Sequence, residues 1–175
     1  MRTPLFISLL TVLLATGCTN TTKKTAMTTI YLVRHAEKEL NETDDPGLTD
    51  KGNQRAQYLV QFFQQVKFDA IYSSPFKRTL LTAGPLAIKN HLDTQTYDPK
   101  ELEEFASMLV QKHNGQTVLV VGHSNTTPAL ANLLGNREDL RPLEEYEYDW
   151  IYVVDRIGDI SSVKKLYVKP GEPTP

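Results

Sequence analysis

Two histidines in this chain sit at matching places, each at the abrupt end of a short apolar run. Thr29-Ile30-Tyr31-Leu32-Val33 runs into Arg34-His35, and Thr117-Val118-Leu119-Val120-Val121-Gly122 runs into His123-Ser124-Asn125. A third run, Phe68 to Tyr72, stops at Ser73-Ser74-Pro75 and is followed at once by Arg78. Two imidazoles and two guanidiniums brought together suit an anionic, oxygen-rich group. Arg grips phosphate oxygens bidentately, helix N-termini add backbone N–H donors, and a neutral imidazole can attack phosphorus to form a covalent phosphohistidine. Phosphoryl transfer asks the protein to position the group and neutralise its equatorial oxygens, which this set can do without a metal or other cofactor. A metal centre ranks low, because the Arg residues repel a divalent cation and no His-x-His or His-Glu-x-x-His spacing occurs. Ser124 lacks the Gly-x-Ser-x-Gly setting of a nucleophile elbow.

For these residues to meet, the apolar runs must be strands of one sheet. Short β-branched runs without polar alternation read as buried parallel strands, and open α/β sheets hold ligands outside the carboxyl ends of such strands. The intervening segments carry helical spacing. Leu48-Thr49-Asp50 offers a cap for a helix from about Asp50 to Val66, with Ala56, Leu59, Val60 and Phe63 on its apolar stripe. A second helix opens at Ser73-Ser74-Pro75 and carries Arg78, Thr79 and Thr82, and Pro85 should kink or shorten it. Asp98-Pro99 caps a third, to about Lys112, ended by Asn114-Gly115, and a fourth rests on Ala129, Leu130, Leu133 and Leu134 and closes at Gly135. Thr94 to Tyr97, Trp150 to Val154 and Val163 to Val168 add strands. The alternation predicts an α/β three-layer sandwich: a mostly parallel central sheet with helices on both faces. Lys38 to Gly47 reads as a loop over the strand ends, and Glu144 to Asp149 as a solvated loop able to rim a pocket. His91 and His113 read as solvated surface.

A chain of 175 residues with 40% hydrophobic content can bury one real core. A net charge of -2, with both signs mixed along the chain, points away from a nucleic-acid surface.

The N-terminus stands outside that fold. Arg2 supplies a positive start, Leu5 to Leu14 an apolar stretch about half of the ~20 residues a spanning helix needs, and Ala15-Thr16-Gly17-Cys18 a small-residue site. Cys18 is the one cysteine, so no internal disulfide can form. The segment resembles a bacterial lipoprotein signal, in which cleavage before the cysteine leaves it lipid-modified as the new N-terminus. The alternative is a plain secretory signal with an incidental thiol. By resemblance to the bacterial sorting rule, Thr19 after the cysteine implies the periplasmic face of a Gram-negative outer membrane. The expected division is signal peptide 1–17, lipid-anchored tether 18–28, folded domain 29–168 and flexible tail 169–175, with the lipid on Cys18 as the link to the membrane.

Four ordered motifs carry a further resemblance. Leu32-Val33-Arg34-His35-Ala36-Glu37, Leu48-Thr49-Asp50-Lys51-Gly52 with Ala56, Ser73-Ser74-Pro75 through Arg78 to Thr82-Ala83, and Val121-Gly122-His123-Ser124-Asn125 are similar to motifs of the histidine phosphatase superfamily, the phosphoglycerate mutase-like enzymes. The resemblance implies that His35 becomes phosphorylated, that Arg34 and Arg78 hold the phosphoryl group, and that His123 hydrogen-bonds its oxygens. Asn125 and Asn41 would add side-chain donors. Ala36 stands where Gly is usual, Arg55 where the helix usually has Gln, and Ser124 where Gly usually follows the second histidine. The mutase-like proton donor has no counterpart, which leaves Glu37, Asp44, Asp98 or Glu101, or a leaving group good enough to need none. That pattern resembles the small, capless branch that includes protein phosphohistidine phosphatases. The implied activity is metal-independent hydrolysis of a small phosphorylated substrate, a phosphomonoester or phosphoramidate. A phosphomutase, or a non-catalytic lipoprotein that binds a phosphorylated ligand, is the alternative.

Overall fold

The computed structural model describes residues 26–40 and 43–170. Cys18, Asn41, the expected signal peptide and most of the tether and tail lie outside the described residues.

The elements follow the order β1 (Thr28–Arg34), α1 (Asp50–Phe62), β2 (Ala70–Ser73), α2 (Lys77–Asn90), β3 (Thr94–Thr96), α3 (Leu102–Lys112), β4 (Thr117–Gly122), α4 (Thr126–Gly135), β5 (Trp150–Ile157) and β6 (Ile160–Tyr167). One sheet holds all six strands in the order β3-β2-β4-β1-β5-β6. Pairing is parallel from β3 through β1 and antiparallel where β5 and β6 complete the sheet. Successive strand residues face opposite sides, so Ile30, Leu32, Val118 and Val120 pack with Phe105, Leu109, Leu130 and Leu134 of α3 and α4. Val33, Ile71, Leu119 and Val121 face the other way, onto Leu59 of α1, Phe63 at its C-terminal cap, and Ala83 and Leu86 of α2. Both faces are covered, which is why the centres of β1 and β4, Ile30 to Val33 and Val118 to Val121, carry no charged or small polar residue, and the expected three-layer sandwich is the fold.

Several boundaries differ from expectation for local physical reasons. Helix α1 stops at Phe62 rather than Val66, because the chain tightens into i→i−3 turns, Gln64 N–H to the Gln61 carbonyl and Val66 N–H to the Phe63 carbonyl. Lys89 Nζ takes the Phe63 carbonyl at 2.6 Å, replacing the bond that further helix would have made. Pro85 does not shorten α2, which runs on to Asn90. It has no N–H for the Leu81 carbonyl, but that residue lies on a solvent-facing side of the helix. Asp98 caps a turn and not α3: its carboxylate accepts from Lys100 N–H, and the helix begins at Leu102 with Glu101 as a cap residue without a side-chain bond. Helix α4 closes on Asn136, left-handed at φ 51°, instead of Gly135. Gly135 is needed for close approach to β6, since a Cβ there would stand 2.3 Å from Val163 Cγ2. The β5–β6 hairpin extends past the expected ends to a turn at Gly158, and Ile160 at its tip is 77% exposed. His113 is buried at 3% exposure, not solvated. Its ring nitrogens meet Tyr72 Oη at 2.9 Å and Gln116 Oε1 at 2.6 Å, and its carbonyl accepts from Thr28 Oγ1. His91 is exposed, as expected.

Candidate active site

The sheet register brings the two histidines together. Arg34 pairs with Gly122 across the parallel β1–β4 ladder, so His35 and His123 are each one residue past the same rung. Adjacent strands lie about 4.8 Å apart, and the two imidazole centroids stand 5.5 Å apart. His35 N–H donates to the Gly122 carbonyl, which locks the two strand exits together. Gly122 is small because Tyr97 Oη, Thr126 Oγ1 and Thr127 Oγ1 would all lie within 3.0 Å of a Cβ. The segment after His35 is held just as closely. Ala36 N–H donates to Thr82 Oγ1, and its methyl group packs with Leu48 and Ala56, so the space usually left for Gly is filled without strain. Thr49 caps α1 through Gly52 N–H, and Gly52 lies so close to the chain that a Cβ would be 2.2 Å from the Glu37 carbonyl oxygen.

Hydrogen bonding fixes the tautomer of each ring. His35 Nδ1 is 2.8 Å from its neighbour's Ala36 carbonyl, an acceptor only, so Nδ1 carries the proton and Nε2 presents its lone pair. His123 is arranged the other way. Arg78 Nη2 donates toward its Nδ1 at 3.4 Å, while Nε2–H donates to Ser74 Oγ at 2.8 Å. Ser74 Oγ passes the chain on to Thr79 Oγ1, which donates to the Phe76 carbonyl. Burial, together with the charges of Arg34, His123 and Arg78, outweighs the Ala36 carbonyl and lowers the His35 pKa to about 3. Burial first, then Arg78 and Arg34, lowers that of His123 to about 4. Both rings are therefore neutral at ordinary pH.

The two guanidiniums are held differently. Arg78 sits in the first turn of α2, its Cζ 4.5 Å from the Phe76 ring centroid and its Nη1 3.6 Å from Asp45 Oδ1. Asp45 also accepts from Lys77 N–H, so the loop from Lys38 to Gly47 anchors the start of α2. Arg34 has a side chain only 1% exposed. Its Nη1 donates to the carbonyls of Glu144, Glu145 and Glu147, its Nη2 to the Glu145 carboxylate at 3.1 Å, and the Tyr148 ring covers its Cζ at 4.1 Å. Arg34 Nε is buried without a partner. On a guanidinium, Nε–H and one Nη–H point the same way as a fork that matches two phosphate oxygens. Here that fork has one free tine, Nε, and one tine, Nη2, held by Glu145.

These side chains line a cavity of about 370 Å³ together with Lys38, Lys100, Asn125 and Ser124. A larger hollow of about 700 Å³ between α3 and α4 is lined by Leu102, Ala129 and Leu133 among others and contains no histidine. Asn125 is exposed, caps α4 without a side-chain bond, and faces the cavity that contains the histidines. Of the four acids considered as proton donors, none lines that cavity. Glu37 is committed elsewhere. Arg55 Nε and Nη2 clasp both its oxygens at 2.9 Å, and although burial pushes its carboxyl up, the Arg55 bonds and charge hold it below the usual range. Arg55 Nη1 also reaches Asp149 Oδ1 at 2.6 Å, tying α1 to the loop that grips Arg34. The sequence marks this loop by its run of acids, but nothing local assigns Arg55, Tyr148 or Glu145 to the pocket.

Two neutral histidines and two arginines at the strand ends of a mostly parallel α/β sandwich suit an anionic, oxygen-rich group. The description "Histidine phosphatase superfamily (branch 1)" matches residues 30–105. That match covers less than half of the chain, and over those residues, which include His35 and Arg78, the chain is similar to that superfamily. Phosphoserine phosphatase 1 of Hydrogenobacter thermophilus is 41% identical over 73 residues, 38% of this chain and 35% of that protein. The chain thus spans little more than a third of the length of that curated relative. The alpha-ribazole phosphatase from Shigella flexneri superposes with a TM-score of 0.68 at 15% identity, over 83% of this chain and all of that one. The protein histidine phosphatase SixA complexed with tungstate superposes at 0.65 and 16% identity, over 79% and 96%. At these identities the two structures establish the fold.

Proposed function

We propose that this protein hydrolyses small phosphomonoesters or phosphoramidates through a phosphohistidine on His35. The observation that carries the reading is the bond from His35 Nδ1–H to the Ala36 carbonyl, which leaves Nε2 as the lone-pair nitrogen of a neutral ring beside His123 and Arg78. In the first step Nε2 attacks phosphorus, the N–P bond forms, and the P–O or P–N bond to the leaving group breaks. In the second, water attacks phosphorus and returns the electron pair to Nε2, releasing phosphate. Arg34 and Arg78 neutralise the equatorial oxygens. His123 takes a proton from solvent on Nδ1 as the phosphoryl charge arrives and donates it as a hydrogen bond to one oxygen, and Asn125 supplies a side-chain donor at the rim. The family match and the phosphoserine phosphatase relative support this reading.

The substrate carries a second anionic group. Lys38 and Lys100 line the cavity, and neither ammonium has an ion-pair partner among the described residues. The sequence around Cys18 supports a lipid-anchored enzyme on the periplasmic face of the outer membrane, which labelling with a radioactive fatty acid in the wild type and in Cys18→Ala would test.

The hydrolysis is tested with an aryl phosphate in metal-free buffer, with intact mass measured after an acid-free quench. Turnover, or a mass gain of one phosphoryl group, that vanishes in His35→Ala is expected. A folded protein that binds vanadate yet shows neither turnover nor adduct would instead be a phosphate-binding lipoprotein.

A further inference from the structure

The hydrolysis proposed above lacks a proton donor for the leaving group, and the cavity supplies one carboxylate. Among the described lining residues that carboxylate belongs to Glu145, whose side chain is 68% exposed at the mouth. Its backbone is fixed, because the Glu145 carbonyl and those of Glu144 and Glu147 all accept from buried Arg34 Nη1. Its carboxylate is placed by Arg34 Nη2 at 3.1 Å and by Tyr148 Oη at 3.3 Å. It occupies one tine of the fork whose other tine, Nε, is buried and unpartnered. A phosphoryl group that takes both tines must displace the carboxylate by about one oxygen's width, leaving it beside the phosphoryl group on the solvent side. Glu145 and His35 line the same cavity, and the exposed Glu145 carboxylate lies on its solvent side.

We infer that Glu145 is the general acid and base of the reaction, released from Arg34 by the substrate it then protonates. A phosphomonoester monoanion brings a proton on a phosphoryl oxygen, and the displaced carboxylate takes it. As the His35 Nε2–P bond forms and the P–O bond breaks, Glu145 gives that proton to the leaving oxygen, and an alcohol departs. Water then attacks the phosphohistidine. Glu145 removes one of its protons, the N–P bond breaks back to His35, phosphate leaves with that proton, and the carboxylate returns to Arg34. The device differs from a permanently buried acid: in the empty site the carboxylate fills the substrate's place on Arg34, so the proton donor is armed only when phosphate has arrived.

The test is a series of phosphate monoesters of graded leaving groups, from 2,4-dinitrophenyl phosphate to an alkyl phosphate, with the wild type, Glu145→Gln, Glu145→Asp and His35→Ala. General acid catalysis contributes about 100-fold or more when the leaving group is poor and little when it is good. Glu145→Gln is expected to lose about 100-fold in kcat/KM on the alkyl ester and less than about threefold on the dinitrophenyl ester. Glu145→Asp keeps an acid on a shorter arm and recovers part of the alkyl activity. Equal losses on both esters would make Glu145 a support for Arg34 and overturn the inference. Equal gains with a lower KM would make it a competitor for the phosphate site and overturn it as well. If the wild type fails to turn over even the dinitrophenyl ester and forms no adduct on His35, the hydrolysis and the acid role fall together. If dinitrophenyl turnover depends on His35 but the alkyl ester shows no dependence on Glu145, only the acid role falls.

Discussion

Keeping two uncharged histidines among arginines in a buried site has a cost that a stability measurement can read. The perturbation is His35→Asn, whose amide N–H can replace Nδ1–H on the Ala36 carbonyl. His35 is 4% exposed and titrates at about 3 in the folded chain, against 6.5 in the unfolded one. Between those values the unfolded chain binds a proton that the folded chain refuses, so stability rises with pH across that window and falls as pH drops through it. At pH 5 the difference is about 1.5 pH units below the unfolded value, or about 2 kcal/mol. His123, titrating at about 4, adds a similar loss in both proteins and cancels from the comparison. Urea unfolding at pH 7.5 and 5.0, followed by far-ultraviolet circular dichroism in a buffer free of phosphate and sulfate, gives the two free energies. The wild type is expected to lose about 2 kcal/mol more than His35→Asn on acidification. Parallel losses within about 0.5 kcal/mol would mean that folded His35 accepts its proton normally, and the argument for a neutral nucleophile would fail.

Three further outcomes follow from the site's supports. Arg55→Ala leaves Glu37 buried without its clasp and frees Asp149, and should cost about 3 kcal/mol in unfolding free energy. Gly52→Ala drives a methyl group into the Glu37 carbonyl, so stability should fall by about 1–3 kcal/mol, with lower turnover because the displaced segment adjoins His35. The double variant Lys38→Ala, Lys100→Ala should lose up to about tenfold more in kcat/KM on a phosphate bearing a second anion than on phenyl phosphate. Equal losses on the two substrates would remove the lysines from substrate selection.

The parts of the site visible in the sequence are those made by strand ends. His35, His123 and Ser74 follow buried apolar runs whose two-sided burial leaves no choice of layer, and parallel register then aligns them. Arg78 was legible because it opens the helix after β2. Groups that reach the site from far along the chain carried no such mark. Arg55 is one of several polar residues on a helix, and only the folded chain brings it to Glu37 and Asp149. Glu145 lies in a run of acids whose ordinary fate is solvation, and three carbonyls of that run turn inward because buried Arg34 needs acceptors. His113 misled for the same reason: its buried partners, Tyr72 and Gln116, come together only when β2 and β4 pair beside the end of α3. The hairpin tip ran longer than its apolar residues suggested because ladder bonds extend it past the core.

The strand order sets a schedule for making this protein. The first described strand, β1, is flanked by β4 and β5, and its arginine is gripped by residues 110 to 113 positions later. A chain emerging from a ribosome can pair β2 with β3 and dock α2, but β1 must wait for neighbours that are synthesised afterwards. Chain stopped before residue 144 has no carbonyls for Arg34 and no second neighbour for β1. The support for Arg34 is therefore completed late, after the parallel half of the sheet has been synthesised.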